Sequence, residues 1–315
     1  MEPHDHPTQA PIVAAFSPDT GAREPVEFGL AASRITGAPL IIVAVVDTGS
    51  MRVHFGADEA PPTPDSLRHL EHELEASDIY VEVRAFDDST AARGLARAID
   101  ELQPELVVIG STNRGTKGSA LLGTTAERVL HVSACPVAVV PIGYQRPEGG
   151  VKLVGAAYSE SEEGEDALRA AARLASAGGV SLRAITVLDP KHAEQETHAL
   201  MAEQRHEVGV EVDAASRVRV GIEARMREVL AELNADADVD VLVNSPVAGL
   251  IAASAHVDLL VMGSRALGPR RAVVLGSVSR RVIDRAACPV VVIPRRSEEK
   301  TDALLSDAAA THPTE

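Results

Sequence analysis

The sequence predicts an α/β protein with two tandem doubly wound domains, each an open five-stranded parallel sheet with helices on both faces. Three observations support this fold. Residues 106–141 and 259–294 repeat one another in register. Short β-rich runs alternate with amphipathic stretches of helical periodicity. Runs such as LIIVAVV at 40–46 are apolar at every position, which is typical of strands covered on both faces.

The repeat has two constant spacings, and together they indicate a tandem duplication. Residues of the later part of each half match at an offset of 153: Gly110 with Gly263, Gly123 with Gly276, Cys135 with Cys288, and Pro141 with Pro294. Phe16-Ser17 and Tyr158-Ser159 match at an offset of 142, so the second half contains 11 extra residues between about 190 and 239. The predicted domains span 11–142 and 151–296, and a linker rich in turn-forming residues spans 143–150.

Ten strands are predicted, five in each half. In the first half they are Ile12–Phe16, Leu40–Val46, Tyr80–Ala85, Leu106–Ile109 and Val137–Val140. In the second half they are Leu153–Tyr158, Leu182–Val187, Val239–Val243, Leu259–Met262 and Val290–Ile293. The last strand of each half is a candidate for edge-to-edge pairing, between the halves or between chains.

Three segments lack this pattern or carry a mixed one. Residues 1–10 and 297–315 are polar and without periodicity, and we expect disordered tails there. In the region 190–238, a helix is indicated by apolar residues up to Leu233. The alternation of Val208, Val210 and Val212, and of Val218 and Val220, instead favours a small hairpin.

Composition narrows the class of function. The formal net charge is −16, and seven aromatic residues (four Phe, three Tyr, no Trp) offer few platforms for bases, so general nucleic-acid binding is not expected. No window approaches about 18 uninterrupted apolar residues, the length that a membrane span requires. Two cysteines and a start without a signal-peptide pattern predict a cytoplasmic protein that does not bind membranes.

The chemistry-bearing pattern follows the fourth strand of each half. A loop rich in Gly, Ser and basic residues runs over 110–123 and 263–276, and a helix then begins at Thr124 or Ser277. Glycines allow close backbone approach, and a helix N-terminus attracts anions. The basic residues are Arg114 and Lys117 in one half, and Arg265, Arg270 and Arg271 in the other. The alternative interpretation is that Thr124 and Ser277 are ordinary N-caps, with Glu127 completing a capping box.

The combination of Gly-Ser, nine residues, Leu-Gly-Ser/Thr, a helix and Ala-Cys-Pro-Val resembles the universal stress protein family, and it occurs twice. The resemblance covers about 12–141 and 152–294. It implies the five-stranded fold of the adenine-nucleotide α-hydrolase-like group and a cytoplasmic stress-response protein. Members of the family commonly form homodimers, and tandem members contain a pseudo-dimer within one chain.

Nucleotide-binding members of the family carry the pattern Gly-x2-Gly-x9-Gly-Ser/Thr and an Asp after the first strand. Here the inner glycine is replaced by Asn113 and Ala266, and the Asp by Ser17 and Ser159. The resemblance still implies ATP or a related adenine nucleotide, with Mg2+, as the ligand. The implied binding residues are Ser17, Gly110, Ser111, Asn113, Gly123, Thr124, Thr125, Ser159, Gly263, Ser264, Gly276, Ser277 and Ser279.

Other motifs do not form a catalytic or metal site. His69 and His72 fit a solvated helix face better than a metal site, because the spacing supplies no further ligands. Cys135 and Cys288 fit small buried thiols, and a disulfide between them would require the two halves to meet there. Three functions therefore stay open: a nucleotide-gated regulatory module, a stress protein that acts through dimerisation without nucleotide, and a slow ATP hydrolase.

Overall fold

The computed structural model describes residues 9–46, 64–111, 122–190, 214–264 and 275–294. The ten strands are β1 Ile12–Phe16, β2 Leu40–Val46, β3 Val81–Asp87, β4 Leu106–Gly110, β5 Val137–Val140, β6 Leu153–Ala157, β7 Ser181–Leu188, β8 Asp238–Val243, β9 Leu259–Gly263 and β10 Val290–Ile293. The helices within these ranges are α1 Glu24–Thr36, α2 Asp65–Leu74, α3 Ala91–Leu102, α4 Thr124–Val132, α5 Glu162–Gly178, α6 Ala214–Glu232, α7 Pro246–Ser254 and α8 Ser277–Ile283.

All ten strands belong to one sheet, in the order β3-β2-β1-β4-β5-β10-β9-β6-β7-β8. Within each half every pair of neighbouring strands is parallel, which confirms the predicted α/β class. The order reverses beside the first strand of each half, so one switch point lies between β1 and β4 and the other between β6 and β9.

The two halves join through their last strands. The sequence predicted that these strands would pair either between the halves or between chains, and the structure shows pairing between the halves. β5 and β10 pair antiparallel, with Val290 opposite Val139 and Val292 opposite Val137. All eight residues of these two strands are buried, so the seam lies at the centre of the sheet. Because this pairing occupies both edges, neither strand is left to pair with a second chain.

Helices cover both faces of the sheet, and each face has a core that continues from one half into the other. One face is covered by α1, α2, α5 and α6, and the other by α3, α4, α7 and α8. The contact between α1 and α5 crosses the seam and is close, because a Cβ at Gly178 would lie 2.9 Å from Cγ2 of Ile35. The halves thus share their hydrophobic cores as well as their hydrogen bonds.

The region 190–238 is helical where the structure describes it. Val218 and Val220 lie in α6, so the alternation that favoured strands there is misleading, and Met226, Val229 and Leu230 give that helix its buried face. Val208, Val210 and Val212 lie outside the described residues, as do the basic residues of both loops, Asn113 and Ala266. Residues 1–8 of the first predicted tail and all of the second tail, 297–315, also lie outside them. Among the described helices, none combines the length and apolar character needed to span a membrane.

A buried carboxyl group lies before β4. Glu105 is 5% exposed, and its side chain accepts a hydrogen bond from Gln9 Nε2 at 3.3 Å. Burial raises the pKa of Glu105 to about 7, because the charged form loses its hydration. The folded protein therefore retains this proton at pH values where the unfolded chain, with a pKa near 4.5, has released it. Stability that comes from this proton is present below pH 4.5 and is lost as the pH rises through 7.

We therefore expect Glu105→Gln, which is neutral at every pH, to melt at a higher temperature than the parent protein at pH 8 but not at pH 4.5. The gain in unfolding free energy at pH 8 should be about 1–3 kcal/mol. Melting curves across pH 4.5–8 measure this difference, with the exposed Glu101→Gln as the control. Identical melting of the Glu105→Gln and parent proteins at pH 8 would show that the carboxyl titrates normally.

Candidate functional site

Each switch point opens into a cavity at the carboxyl ends of its strands. The cavity of the first half has a volume of about 950 Å³, and that of the second half about 380 Å³. Because β5 and β10 are antiparallel, the carboxyl ends of the strands, and with them the two cavities, point in opposite directions along the strand axis. We call them the first cavity and the second cavity.

The first cavity is lined by four parts of the first half. The segment 15–25 supplies one wall, and Val43 and Val45 of β2 supply an apolar part of the surface together with Leu95 of α3. Gly110 and Ser111 at the end of β4 and Thr125 in the first turn of α4 supply the side of the predicted phosphate loop. The segment 142–146, which follows β5, closes the remaining side.

The first cavity is wide because α1 begins late. Seven residues, 17–23, separate β1 from α1. They form a turn in which the N–H of Gly21 donates to the carbonyl of Ser17 at 2.9 Å, and Gly21 has a φ of +61°, which favours glycine. Pro25 then lies in the first turn of the helix, where its missing N–H costs nothing.

The second cavity is narrow because α5 begins early. Four residues, 158–161, separate β6 from α5, and the side-chain oxygen of Ser161 caps the helix by accepting from the N–H of Gly164. The first turn of α5 then lies directly on β9. A Cβ at Gly263 would approach the carbonyl oxygen of Glu163 to 2.3 Å, whereas a Cβ at the equivalent Gly110 would meet Pro25 Cγ at 3.3 Å.

The helices after the glycine loops begin where the sequence predicted, but their caps differ from the capping interpretation. The N-caps are Gly123 and Gly276, and neither helix has a side-chain cap hydrogen bond, so Thr124 and Ser277 are first helical residues. Glu127 does not complete a capping box with Thr124. Its carboxylate instead forms an ion pair with Arg280 of α8, across the seam between the halves.

A second bond also crosses that seam, from the N–H of Leu122 to Oδ1 of Asp284 at 3.1 Å. Together with the Glu127–Arg280 pair it ties the start of α4 to α8 of the other half. Among the described residues no side-chain cap hydrogen bond reaches the first-turn N–H groups of α4, and Thr125 of that turn lines the first cavity.

Ser111 and Ser264, which are equivalent in the two halves, share an unusual property. Their Oγ atoms are buried and have no hydrogen-bond partner among the described residues. Ser111 lines the first cavity and Ser264, which is 2% exposed, lines the second. A buried hydroxyl without a partner is unfavourable, and a rotation about the Cα–Cβ bond would be needed for either hydroxyl to reach its cavity.

Charged groups also lie along the first cavity. Arg23 donates to both carboxylate oxygens of Glu73, at 2.7 and 2.8 Å, and this bond lowers the pKa of Glu73. Asp19 is exposed, and Glu24 accepts a hydrogen bond from the N–H of Gly143. The cavity thus has carboxylates around its opening and apolar side chains at its base.

The structure distributes the predicted site residues between the two cavities. The first cavity contains Ser17, Gly110, Ser111 and Thr125, and the second contains Ser159, Gly263, Ser264, Gly276, Ser277 and Ser279. Gly123 and Thr124 lie at the start of α4, beside Thr125, and Asn113 lies outside the described residues. The hydroxyl of Ser279 donates to the carbonyl of Gly263 at 3.4 Å, so it is already engaged by the protein.

Four cavity residues that lie outside the glycine-loop motif were not predicted from the sequence. They are Asp19 and Arg23 in the β1–α1 loop, and Tyr144 and Arg146 after β5. Asp19 is two residues beyond the position where the family pattern has its Asp. Asp19 could have been noticed from the sequence, because the sequences of the two halves diverge directly after Ser17 and Ser159.

The cysteines and histidines form no site in the described part of the chain. Cys135 and Cys288 are buried, and they lie at opposite ends of the antiparallel β5–β10 pair, which excludes a disulfide between them. Burial raises the pKa of Cys288 to about 12, so its thiol is unreactive at neutral pH. His72 lies 3.2 Å from Glu75, and no group of metal-ligating side chains occurs among the described residues.

The different packing at Gly110 and Gly263 predicts unequal effects of the same substitution. Gly263→Ala should lower the unfolding free energy by about 1–3 kcal/mol, because its Cβ would collide with backbone that has little room to move. Gly110→Ala should cost less than about 1 kcal/mol, since the contact is looser and alanine restricts the unfolded chain. Urea unfolding of both variants measures the difference, and equal losses would contradict the described packing.

Comparisons with known proteins agree with this architecture. The profile of the universal stress protein family matches residues 10–141 and again 151–294. Universal stress protein Rv2319c of Mycobacterium tuberculosis is 28% identical over 238 residues, which cover 73% of this chain and 77% of that protein. A universal stress protein of Mycolicibacterium smegmatis is 32% identical over 136 residues, which cover 42% of this chain and 99% of that protein.

Solved structures show the same fold over nearly the whole chain. A Pseudomonas aeruginosa PAO1 protein superposes with a TM-score of 0.61 at 16% identity and covers 96% of this chain and 98% of its own. A universal stress protein of Archaeoglobus fulgidus superposes with a TM-score of 0.58 at 20% identity and covers 91% of this chain and 99% of its own. With the family profile matched twice along one continuous sheet, the chain belongs to the universal stress protein family as a tandem member.

Proposed function

We propose that this protein is a cytoplasmic regulatory module that binds one adenine nucleotide, in the first cavity, without substantial turnover. The observation that carries the proposal is a cavity of about 950 Å³ at the switch point, lined by Ser111 and by Thr125 in the first turn of α4, a helix that has no side-chain cap hydrogen bond among the described residues. Ligand sites in α/β sheets form at such switch points.

Size favours the first cavity over the second. Small-molecule sites have volumes of about 300–1,000 Å³, and the first cavity lies in the upper part of that range. The second cavity, at about 380 Å³, is reduced by the first turn of α5. That turn also carries Glu162, Glu163 and Glu165, whose charges oppose a phosphate group.

The groups along the first cavity suit the parts of a nucleotide. The phosphates would lie at the start of α4, where N–H groups and the positive end of the helix dipole favour anions. The base would contact the apolar surface of Val43, Val45 and Leu95. The exposed carboxylate of Asp19 would accept hydrogen bonds from ribose hydroxyls, a role that Ser17 cannot fill with one hydroxyl.

The proposal assigns binding and not catalysis to this site. Two of the three carboxylates along the cavity are engaged, Glu24 by the N–H of Gly143 and Glu27 by the nearby Arg23 and Arg146. Asp19 is exposed and is assigned to the ribose. Mg2+ would be held by phosphate oxygens and water, as is usual for Mg2+ bound with a nucleotide.

The test is a thermal melt of nucleotide-free protein with and without Mg-ATP at about 1 mM. If the dissociation constant is near ~10 μM, the ligand stabilises the protein by about 2.7 kcal/mol, and the midpoint should rise by roughly 5–10 °C. Gly123→Val should abolish the rise because the side chain covers the start of α4. Gly276→Val should preserve it, because the nucleotide binds in the other half.

The two variants are matched, since both glycines are N-caps with extended backbone that accepts valine. Each variant is compared with its own nucleotide-free melt, so a change in intrinsic stability does not affect the result. A rise that disappears in Gly276→Val and persists in Gly123→Val would place the nucleotide in the second half and contradict the proposal. Absence of any rise with ATP, ADP and AMP would refute nucleotide binding and favour the dimerisation alternative.

A further inference from the structure

We propose that Glu105, Gln9 and Thr36 form a pH-sensitive clasp at the amino ends of the strands of the first half. The clasp holds residues 9–11, the segment before β1, against the sheet while the Glu105 carboxyl is protonated, and it loosens when that carboxyl ionises. Glu105 precedes β4, whose other end, at Gly110, lines the first cavity. The clasp is therefore separate from the proposed nucleotide site and goes beyond that function.

The clasp joins three parts of the first half. Nε2 of Gln9 donates to Oε2 of Glu105 at 3.3 Å and to the carbonyl oxygen of Thr36, the last residue of α1, at 3.4 Å. The N–H of Glu105 donates to the carbonyl oxygen of Pro11 at 3.0 Å. Through these bonds residues 9–11 are attached both to the end of α1 and to the residue that precedes β4.

The second half has the same backbone arrangement but a different environment for its carboxyl group. Asp258 is equivalent to Glu105, and its N–H donates to the carbonyl oxygen of Leu153 at 2.9 Å, as that of Glu105 donates to Pro11. Oδ2 of Asp258 also accepts two backbone N–H groups, from Lys152 at 2.7 Å and from Leu153 at 2.9 Å. Backbone donors of this kind favour the ionised form of a carboxyl group.

Glu105 lacks these backbone donors because of Pro11. At the offset of 142, Pro11 is the equivalent of Leu153, and a proline has no backbone N–H. The equivalent of Lys152 is Ala10, and among the described residues the N–H of Ala10 forms no hydrogen bond with Glu105. The duplicated carboxyl position is thus supported by the backbone in the second half and by side chains in the first.

Burial makes the ionised form of Glu105 unfavourable. The groups that face its carboxyl are the amide of Gln9, from the segment before β1, and the hydroxyl of Thr36, from α1, and no charged or titratable side chain of the described residues acts on it. Both hydrogen bonds favour the ionised form, but the loss of hydration outweighs them and raises the pKa of Glu105 to about 7.

An ionised Glu105 would regain its hydration only if a neighbouring part of the chain moved, because the residue is 5% exposed. Among its neighbours, α1 and β4 are regular elements, whereas residues 9–11 lie in neither a helix nor a strand. Residues 9–11 can therefore move with the smallest loss of structure. The conformational response to ionisation is assigned to them.

The experiment compares two equivalent amide hydrogens of the intact protein by NMR hydrogen exchange, those of Glu105 and Asp258. After correction for the intrinsic exchange rate, protection at Glu105 should fall about tenfold from pH 6 to pH 8, the change that linkage gives for a carboxyl with a pKa of about 7 when closed and 4.5 when open. Protection at Asp258 should stay within about twofold, since its carboxyl has backbone donors at both pH values.

Three variants test the assignment. Glu105→Gln is neutral at every pH, so protection at residue 105 should become independent of pH within about twofold. Pro11→Ala supplies the N–H that Leu153 has in the second half, and should reduce the tenfold fall to less than about threefold. Glu101→Gln removes an exposed carboxyl of α3 and should respond as the parent protein does.

A carbon-13 NMR titration of the Glu105 side chain supplies a second readout on the parent protein. Its midpoint should coincide with the pH at which protection at Glu105 falls. A midpoint near 4.5, a fall that persists in Glu105→Gln, or an equal fall at Asp258 would overturn the clasp. A full tenfold fall in Pro11→Ala would overturn the role of the missing N–H. Since no nucleotide is present, these results leave the proposed function untouched.

Discussion

The antiparallel pairing of β5 with β10 is the contact on which the rest of the arrangement depends. It joins two five-stranded parallel sheets into one sheet of ten strands, and the strands of the two halves therefore run in opposite directions. The segment after β5 leaves the sheet beside the first cavity and enters β6, whose amino end lies on the same side of the sheet as the carboxyl end of β5. The connection between the halves therefore borders the first cavity and not the second.

The second constraint is the point at which the first helix of each half begins. Proline and glycine residues delay α1 until Glu24, and a serine cap allows α5 to begin at Glu162. Because the glycine at the end of the fourth strand is retained in both halves, the earlier helix can pack directly on Gly263. One copy thus retains space for a ligand, and the other uses the same space to pack its own backbone.

The fold was predictable because its signals are local and occur twice. Fully apolar runs such as 40–46 mark strands covered on both faces, and the glycine positions mark where α4 and α8 begin. The alternation at Val218 and Val220 was misleading, because both residues lie in α6, where Val218 is on the buried side of the helix and Val220 is on the exposed side. The predicted capping box does not form because the N-cap is Gly123 and not Thr124, and Glu127 pairs with Arg280 of the other half, a contact that no local pattern reports.

The site was less predictable than the fold, because its width depends on packing between distant segments. The Gly-Ser motif located both switch points, but the same motif lines a large cavity in one half and a small one in the other. Tyr144 and Arg146 belong to a segment without periodicity, and only the direction of the seam places them along the first cavity.

We propose that duplication has left one functional nucleotide site in the chain. Equilibrium dialysis of the intact protein against radiolabelled ATP, extended to saturation, counts the sites directly. We expect one nucleotide per chain. Two nucleotides per chain would show that the second cavity opens despite the packing of α5 on Gly263, and would overturn the assignment of a single site to the first half.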